Sequence, residues 1–75
     1  YNLANVYFDA NNYDLAIVHY EVAVEIDPEF SDAWFNLTIA FIATKMHKKA
    51  MDAYLQYRKL VPEEQEDILS GYLKK

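Results

Sequence analysis

Apolar residues recur at intervals of three and four along the chain, the spacing of one face of an α-helix. Leu3, Val6, Tyr7 and Ala10 form one stripe, and Ala16, Ile17, Tyr20 and Val24 form the next, with Ala23 slightly off phase. Between them stands Asn11-Asn12, and asparagine accepts the left-handed backbone that ends a helix. The pattern predicts a first helix through about residue 10 and a second over about 13–26. Asp27-Pro28 stops the second, because proline cannot continue a helix and disfavours the helical region for its predecessor. A third helix is expected over 31–44, carrying Trp34, Leu37, Ile39, Phe41 and Ile42. A fourth is expected over 47–60, carrying Ala50, Met51, Ala53, Tyr54 and Tyr57, and Val61-Pro62 repeats the stop. Over 63–75, Glu63, Glu64 and Glu66 suit the positive end of a last helix and Lys74 and Lys75 its negative end, with Ile68, Leu69, Tyr72 and Leu73 as its stripe. Five helices with short connections make an antiparallel all-α array.

The array repeats itself. A shift of 34 residues places Tyr1 over Phe35, Asn2 over Asn36, Leu3 over Leu37, Tyr7 over Phe41, Ala16 over Ala50, Tyr20 over Tyr54 and Pro28 over Pro62. Unrelated helices do not match in size and chemistry at one fixed offset. A period of this length marks a helical solenoid, whose units cannot bury their own apolar faces and must stack on a neighbour. Trp34 is expected to pack between the two units.

The 34-residue period, the Trp34/Leu37/Phe41 spacing with its Leu3/Tyr7 counterpart, the small Ala16 and Ala50, the tyrosines four residues on, Ala23, and the Pro28 and Pro62 endings together resemble the tetratricopeptide repeat. The resemblance covers residues 1–62 and implies a right-handed solenoid of antiparallel helix pairs. Its first repeat would span about 1–30 and its second 31–62, with 63–75 a terminal or capping helix; one domain fills residues 1–75, read as part of a longer chain. Three positions depart from the pattern. Thr38 stands at a close helix crossing where Gly or Ala is usual, which reads as a packing variant. Tyr57 replaces the small residue matched by Ala23, so that either the following helix is displaced or the ring lies at the open end of the stack. His47 replaces the aromatic Tyr13 and reads as a core or edge histidine, since only His19 could join it in binding a metal.

Composition narrows the function. The 75 residues contain no cysteine, which excludes a disulfide scaffold, a thiolate zinc site and a cysteine nucleophile. A single glycine, Gly71, cannot build a phosphate-binding loop, no HExxH occurs, and Ser31 and Ser70 lack a motif around them. The acids of the second helix and its exit, Asp14, Glu21, Glu25, Asp27 and Glu29, read as a solvated convex face. Neither an enzyme nor a cofactor is expected. The net charge is −5, and residues 1–44 hold seven acids and no Lys or Arg, whereas residues 45–59 hold five bases and one acid. Lys45, Lys48 and Lys49 invite a nucleic-acid reading, but the cluster is short, carries no recognition motif and reads as a solvated turn. No apolar run reaches the roughly 20 residues of a membrane span, so membrane insertion is not expected. No secretory signal is visible either, and the compartment stays open with the cytoplasm as the default expectation.

The resemblance assigns the first helix of each pair to a concave face. That face would present Tyr1, Asn2, Asn5, Phe8 and Asp9, then Asp32, Phe35, Asn36, Ile39, Ile42 and Ala43. Phe8, Phe35, Ile39 and Ile42 would form an apolar floor, and Asn2, Asn5 and Asn36 would bond a docked segment. The expected function is an adaptor or scaffold that binds a peptide or helical segment of another protein. The alternative is a structural repeat segment whose exposed edges drive homo-oligomerisation. Some resembling domains clamp an acidic carboxy-terminal peptide with Lys, Asn, Asn, Lys and Arg. Asn5 and Asn36 match the two asparagines, but Tyr1, Glu66 and Ser70 stand where the cations belong, so no such peptide is expected to bind and a weakly basic or apolar segment suits the groove better.

Overall fold

The computed structural model describes residues 2–62, and these form four α-helices: α1 (Asn2–Asp9), α2 (Tyr13–Ile26), α3 (Ser31–Ala43) and α4 (His47–Leu60). The bounds expected for the second and fourth helices coincide with those of α2 and α4, and α1 and α3 each stop one residue earlier than expected. Tyr1 and the helix expected over 63–75 lie outside the described residues.

The turns repeat as faithfully as the side chains. After α1, Asn11 takes a positive φ of 61°; its N–H donates to the Phe8 carbonyl and the Asn12 N–H to the Tyr7 carbonyl. After α3, Lys45 takes a φ of 63°; its N–H donates to the Ile42 carbonyl and the Met46 N–H to the Phe41 carbonyl. Both are the left-handed helix ending in which two backward bonds satisfy carbonyls the helix leaves open. Asparagine tolerates that conformation readily; lysine, with its Cβ against the following carbonyl, tolerates it less. The other turns repeat too, with the Asp27 N–H on the Ala23 carbonyl and the Val61 N–H on that of Tyr57. Asp27 also accepts the Glu29 N–H on its carboxylate, and the Trp34 indole N–H donates to the Pro28 carbonyl at 2.8 Å, tying α3 to the turn between the units.

Each helix packs on its neighbour in the chain: α1 on α2, α2 on α3, and α3 on α4. The core consists of alanines at the crossings, Ala4, Ala16, Ala33, Ala40, Ala50 and Ala53, around Ile17, Tyr20, Val24, Leu37 and Phe41. Small residues let the helix axes approach, and the larger ones fill the space beside them. Thr38 shares the crossing position of Ala4 and is fully buried; its hydroxyl donates to the Trp34 carbonyl at 2.8 Å, so the helix itself satisfies the extra polar atom. Tyr57 is buried with its ring centroid 5.3 Å from that of Phe35. His47 is exposed, and His19 stacks on Tyr7 at 5.4 Å.

The first apolar stripe requires a correction. Leu3, Val6 and Ala10 are exposed, because among the described residues α1 packs chiefly on α2, from one side. Their counterparts one repeat on, Leu37, Ala40 and Thr44, are buried or half-buried, because α2 stands against α3 where α1 has no neighbour among the described residues. Met51, assigned to the stripe of the fourth helix, is likewise exposed.

Candidate functional site

The side of α1 and α3 expected to be concave is organised by one buried hydroxyl. Tyr20 of α2 is 0% exposed and reaches between the two helices. Its O–H donates to Asn5 Oδ1, and Asn36 Nδ2 donates to its oxygen at 3.1 Å. A buried tyrosine needs a partner for its polar tip, and here it finds one on the first helix of each unit. The bonds also settle which amide atoms stay available. With its oxygen engaged, Asn5 keeps its NH₂ donors; with one N–H engaged, Asn36 keeps its carbonyl oxygen.

The apolar residues expected to line this side occupy it only half-exposed. Phe8 lies edge-on to Tyr13 and Tyr20, with centroid distances of 5.7 and 6.0 Å, and Phe35 leans on Tyr57. Ile39 is half-buried, Ile42 packs on the core, and Asn2 is exposed. Among the described residues of α3 only Asp32 and Ala43 are exposed, so the apolar character found nearly all round this helix is largely consumed by α2 and α4. The strongly exposed apolar side chains stand elsewhere: Leu3, Val6, Leu15, Val18, Val22 and Ile26 on α1 and α2, and Met51 and Leu55 on α4.

Two family models match the chain. One, described as TPR repeat, covers residues 4–44, and the other, described as tetratricopeptide repeat, covers residues 32–63. The chain belongs to the tetratricopeptide-repeat family. No curated protein and no solved structure matches it significantly. The two matches together cover both units, and the side-chain pattern, turns and crossings of this tetratricopeptide repeat recur at the same offset of 34 residues.

Two features escaped the sequence pattern. Tyr20 reads as one more member of an apolar stripe; that it joins Asn5 to Asn36 follows only when a buried phenol is required to find partners on adjacent helices. The second is a cleft on the far side of α3, between α2 and α4, lined by Val24, Trp34, Leu37, Phe41 and Ala53 with Glu21, Glu25, Lys49, Asp52 and Gln56 around them. Among the described residues no group of three His, Asp or Glu side chains could hold a metal ion, and no helix is long and apolar enough to cross a membrane.

Proposed function

We propose that this tetratricopeptide repeat is a non-enzymatic interaction module that seats a segment of another protein across α1 and α3, over Asn2, Asn5 and Asn36 and beside Phe8, Phe35, Ile39 and Ile42. The observation that carries the reading is the Asn5–Tyr20–Asn36 chain of hydrogen bonds. It leaves the Asn5 NH₂ donors and the Asn36 carbonyl unused by that chain of bonds on successive repeats, the complement of a peptide group's carbonyl and N–H. Preorganised amides lose little freedom when they engage a ligand, which favours binding. The side carries no Lys or Arg, so it suits an apolar or weakly basic segment rather than an acidic tail.

The test is a capture experiment with the 75-residue chain as bait, beside Asn36→Ala and Tyr20→Phe, each checked for helicity by circular dichroism. A partner retained by the parent and lost from Asn36→Ala, and weakened by Tyr20→Phe although Tyr20 is fully buried, supports the reading. Equal retention by all three baits overturns it. A second reading, homo-oligomerisation, is favoured by the exposed Leu3, Val6, Val18 and Val22 on α1 and α2. A sedimentation mass that falls on dilution and is fixed at the monomer by Val18→Lys would establish that reading instead.

A further inference from the structure

The exposed aliphatic side chains of α1 and α2 share one face. Leu3 and Val6 stand four and one residues before Tyr7, and Leu15 and Val18 stand four and one before His19. At about 100° per residue, both pairs turn the same way from those rings, by about 40° and 100°. Tyr7 and His19 stack on each other at 5.4 Å across the antiparallel helices, so the two pairs emerge on the same side. Val22 and Ile26 continue the face along α2, and the six residues are 41–80% exposed. The acids of these helices, Asp9, Asp14, Glu21 and Glu25, lie farther round, about 120–160° from the same rings. The face therefore has an apolar centre between two acidic rims, the anatomy of an interface.

The second unit shows that repeat stacking does not explain this face. Leu37 and Ala40, the counterparts of Leu3 and Val6, are buried where α2 packs on α3, so those two positions serve stacking. Lys49, Asp52 and Gln56 are the counterparts of Leu15, Val18 and Val22, and they stay exposed although a whole unit stands before them. A preceding repeat leaves these positions open, and the fold accepts polar side chains there. Leu15, Val18 and Val22 thus answer no packing need within the repeat, and valine is a poorer helix former than lysine or glutamine. A contiguous apolar strip kept in water without such a need marks contact with another molecule.

The spacing along α2 is self-complementary. Leu15, Val18, Val22 and Ile26 follow at intervals of three, four and four. A second α2 laid against the first end for end sets Val18 opposite Val22 and Leu15 opposite Ile26, and each pairing occurs twice, as a two-fold axis requires. Apolar centre meets apolar centre, and the acids stay on the wet rims. With α2 about 21 Å long and α1 beside it, such a contact buries roughly 1,000 Å² in total, the lower end for a specific interface.

We propose that two copies of this chain pair face to face about a two-fold axis, α2 against α2 end for end, burying Leu15, Val18, Val22 and Ile26 with Leu3 and Val6 beside them. The pairing rests on the self-association reading above and names its surface and symmetry. Each copy carries a net charge of −5 and presents acidic rims to the other, so the dimer is weak and tightens when salt screens that repulsion. At the low concentrations of spectroscopic melts the chain is then monomeric.

Sedimentation equilibrium of the 75-residue chain, from about 10 μM to about 1 mM, tests it. The expected result is a mass that rises to that of a dimer and no further, with a Kd of about 10–100 μM that falls several-fold between low and high salt. Val18→Lys and Val22→Lys should each raise the Kd at least about tenfold, although each makes the chain less negative. Gln56→Lys, the same change of charge at the counterpart of Val22, should not weaken the dimer; circular dichroism checks that all three variants stay helical. In a mixture of isotope-labelled and unlabelled chains, cross-chain contacts between the Val18 and Val22 methyl groups are expected. A mass that grows past the dimer or association that weakens with salt points instead to acidic residues 1–44 of one copy meeting the basic stretch 45–59 of the next. Either result, full dimerisation of both lysine variants, or a dimer without the Val18–Val22 contact overturns this pairing while self-association stands. A monomer at about 1 mM in high salt overturns both.

Discussion

Leu3 and Leu37 are the same residue at the same place in successive units, yet Leu3 is 49% exposed and Leu37 is 2% exposed. Val6 and Ala40 differ in the same sense, at 60% and 0%. The helical period is equally clear in both stripes, so periodicity alone does not decide burial. A stripe tells which face of a helix is able to pack, and the presence of a neighbouring helix decides whether it does. In the second unit α2 covers the first helix of the pair; among the described residues nothing plays that part for α1.

The sharpest way to break the comparison is to truncate both leucines. Leu37→Ala removes a core side chain between α2 and α4 and should cost about 2–5 kcal/mol, whereas Leu3→Ala at an exposed site should stay within about 0.5 kcal/mol. Urea denaturation of the two variants measures the difference, and equal losses would refute the claim that only the second unit is enclosed.

A smaller contrast separates the paired tyrosines. Tyr20 is buried with its hydroxyl on two asparagines, and Tyr54 is half-buried. Tyr20→Phe should therefore cost about 1–3 kcal/mol by leaving partly buried amides without their partner, and Tyr54→Phe less than about 0.5 kcal/mol. Thermal melts of the pair would show whether the phenol holds the units together or merely fills space.

The smallest effect concerns the two left-handed turn residues. Lys45→Gly should stabilise the chain by about 0.5–1 kcal/mol, because it removes a Cβ from an unfavourable conformation, while Asn11→Gly should change stability by a few tenths at most. If both glycines act equally, the difference between asparagine and lysine at this turn is not energetic.

Much of the fold was legible because its punctuation is strong. Asn11-Asn12 and the two prolines mark helix ends, and the offset of 34 residues places the third and fourth helices once the first two are recognised. Less of the candidate site was. Phe35 and Ile39 read as an open apolar floor because counting apolar positions on α3 takes no account of Tyr57 and the two flanking helices, which occupy much of that surface. The pairing of Asn5 with Asn36 is invisible in the pattern, since a stripe treats Tyr20 as apolar and ignores its hydroxyl. Lys45 was unexpected at a left-handed turn because lysine is not a turn residue; its register with Asn11 carries the only signal. The cleft beside α3 was missed because its walls come from α2 and α4, which a pattern read helix by helix does not bring together.

Because the helices of the described region pack chiefly on the one before and after them in the chain, the sequence distance between touching residues is mostly short there. Chains of this kind pay little loop-closure entropy before their contacts form, and they fold rapidly from whichever neighbouring pair assembles first. Among the described residues α2 and α3 are held from both sides and α1 from one, so α1 opens at a lower free energy than either. Amide exchange is then faster in α1 than in α2 and α3, and a ligand bound across α1 and α3 would slow exchange most in α1.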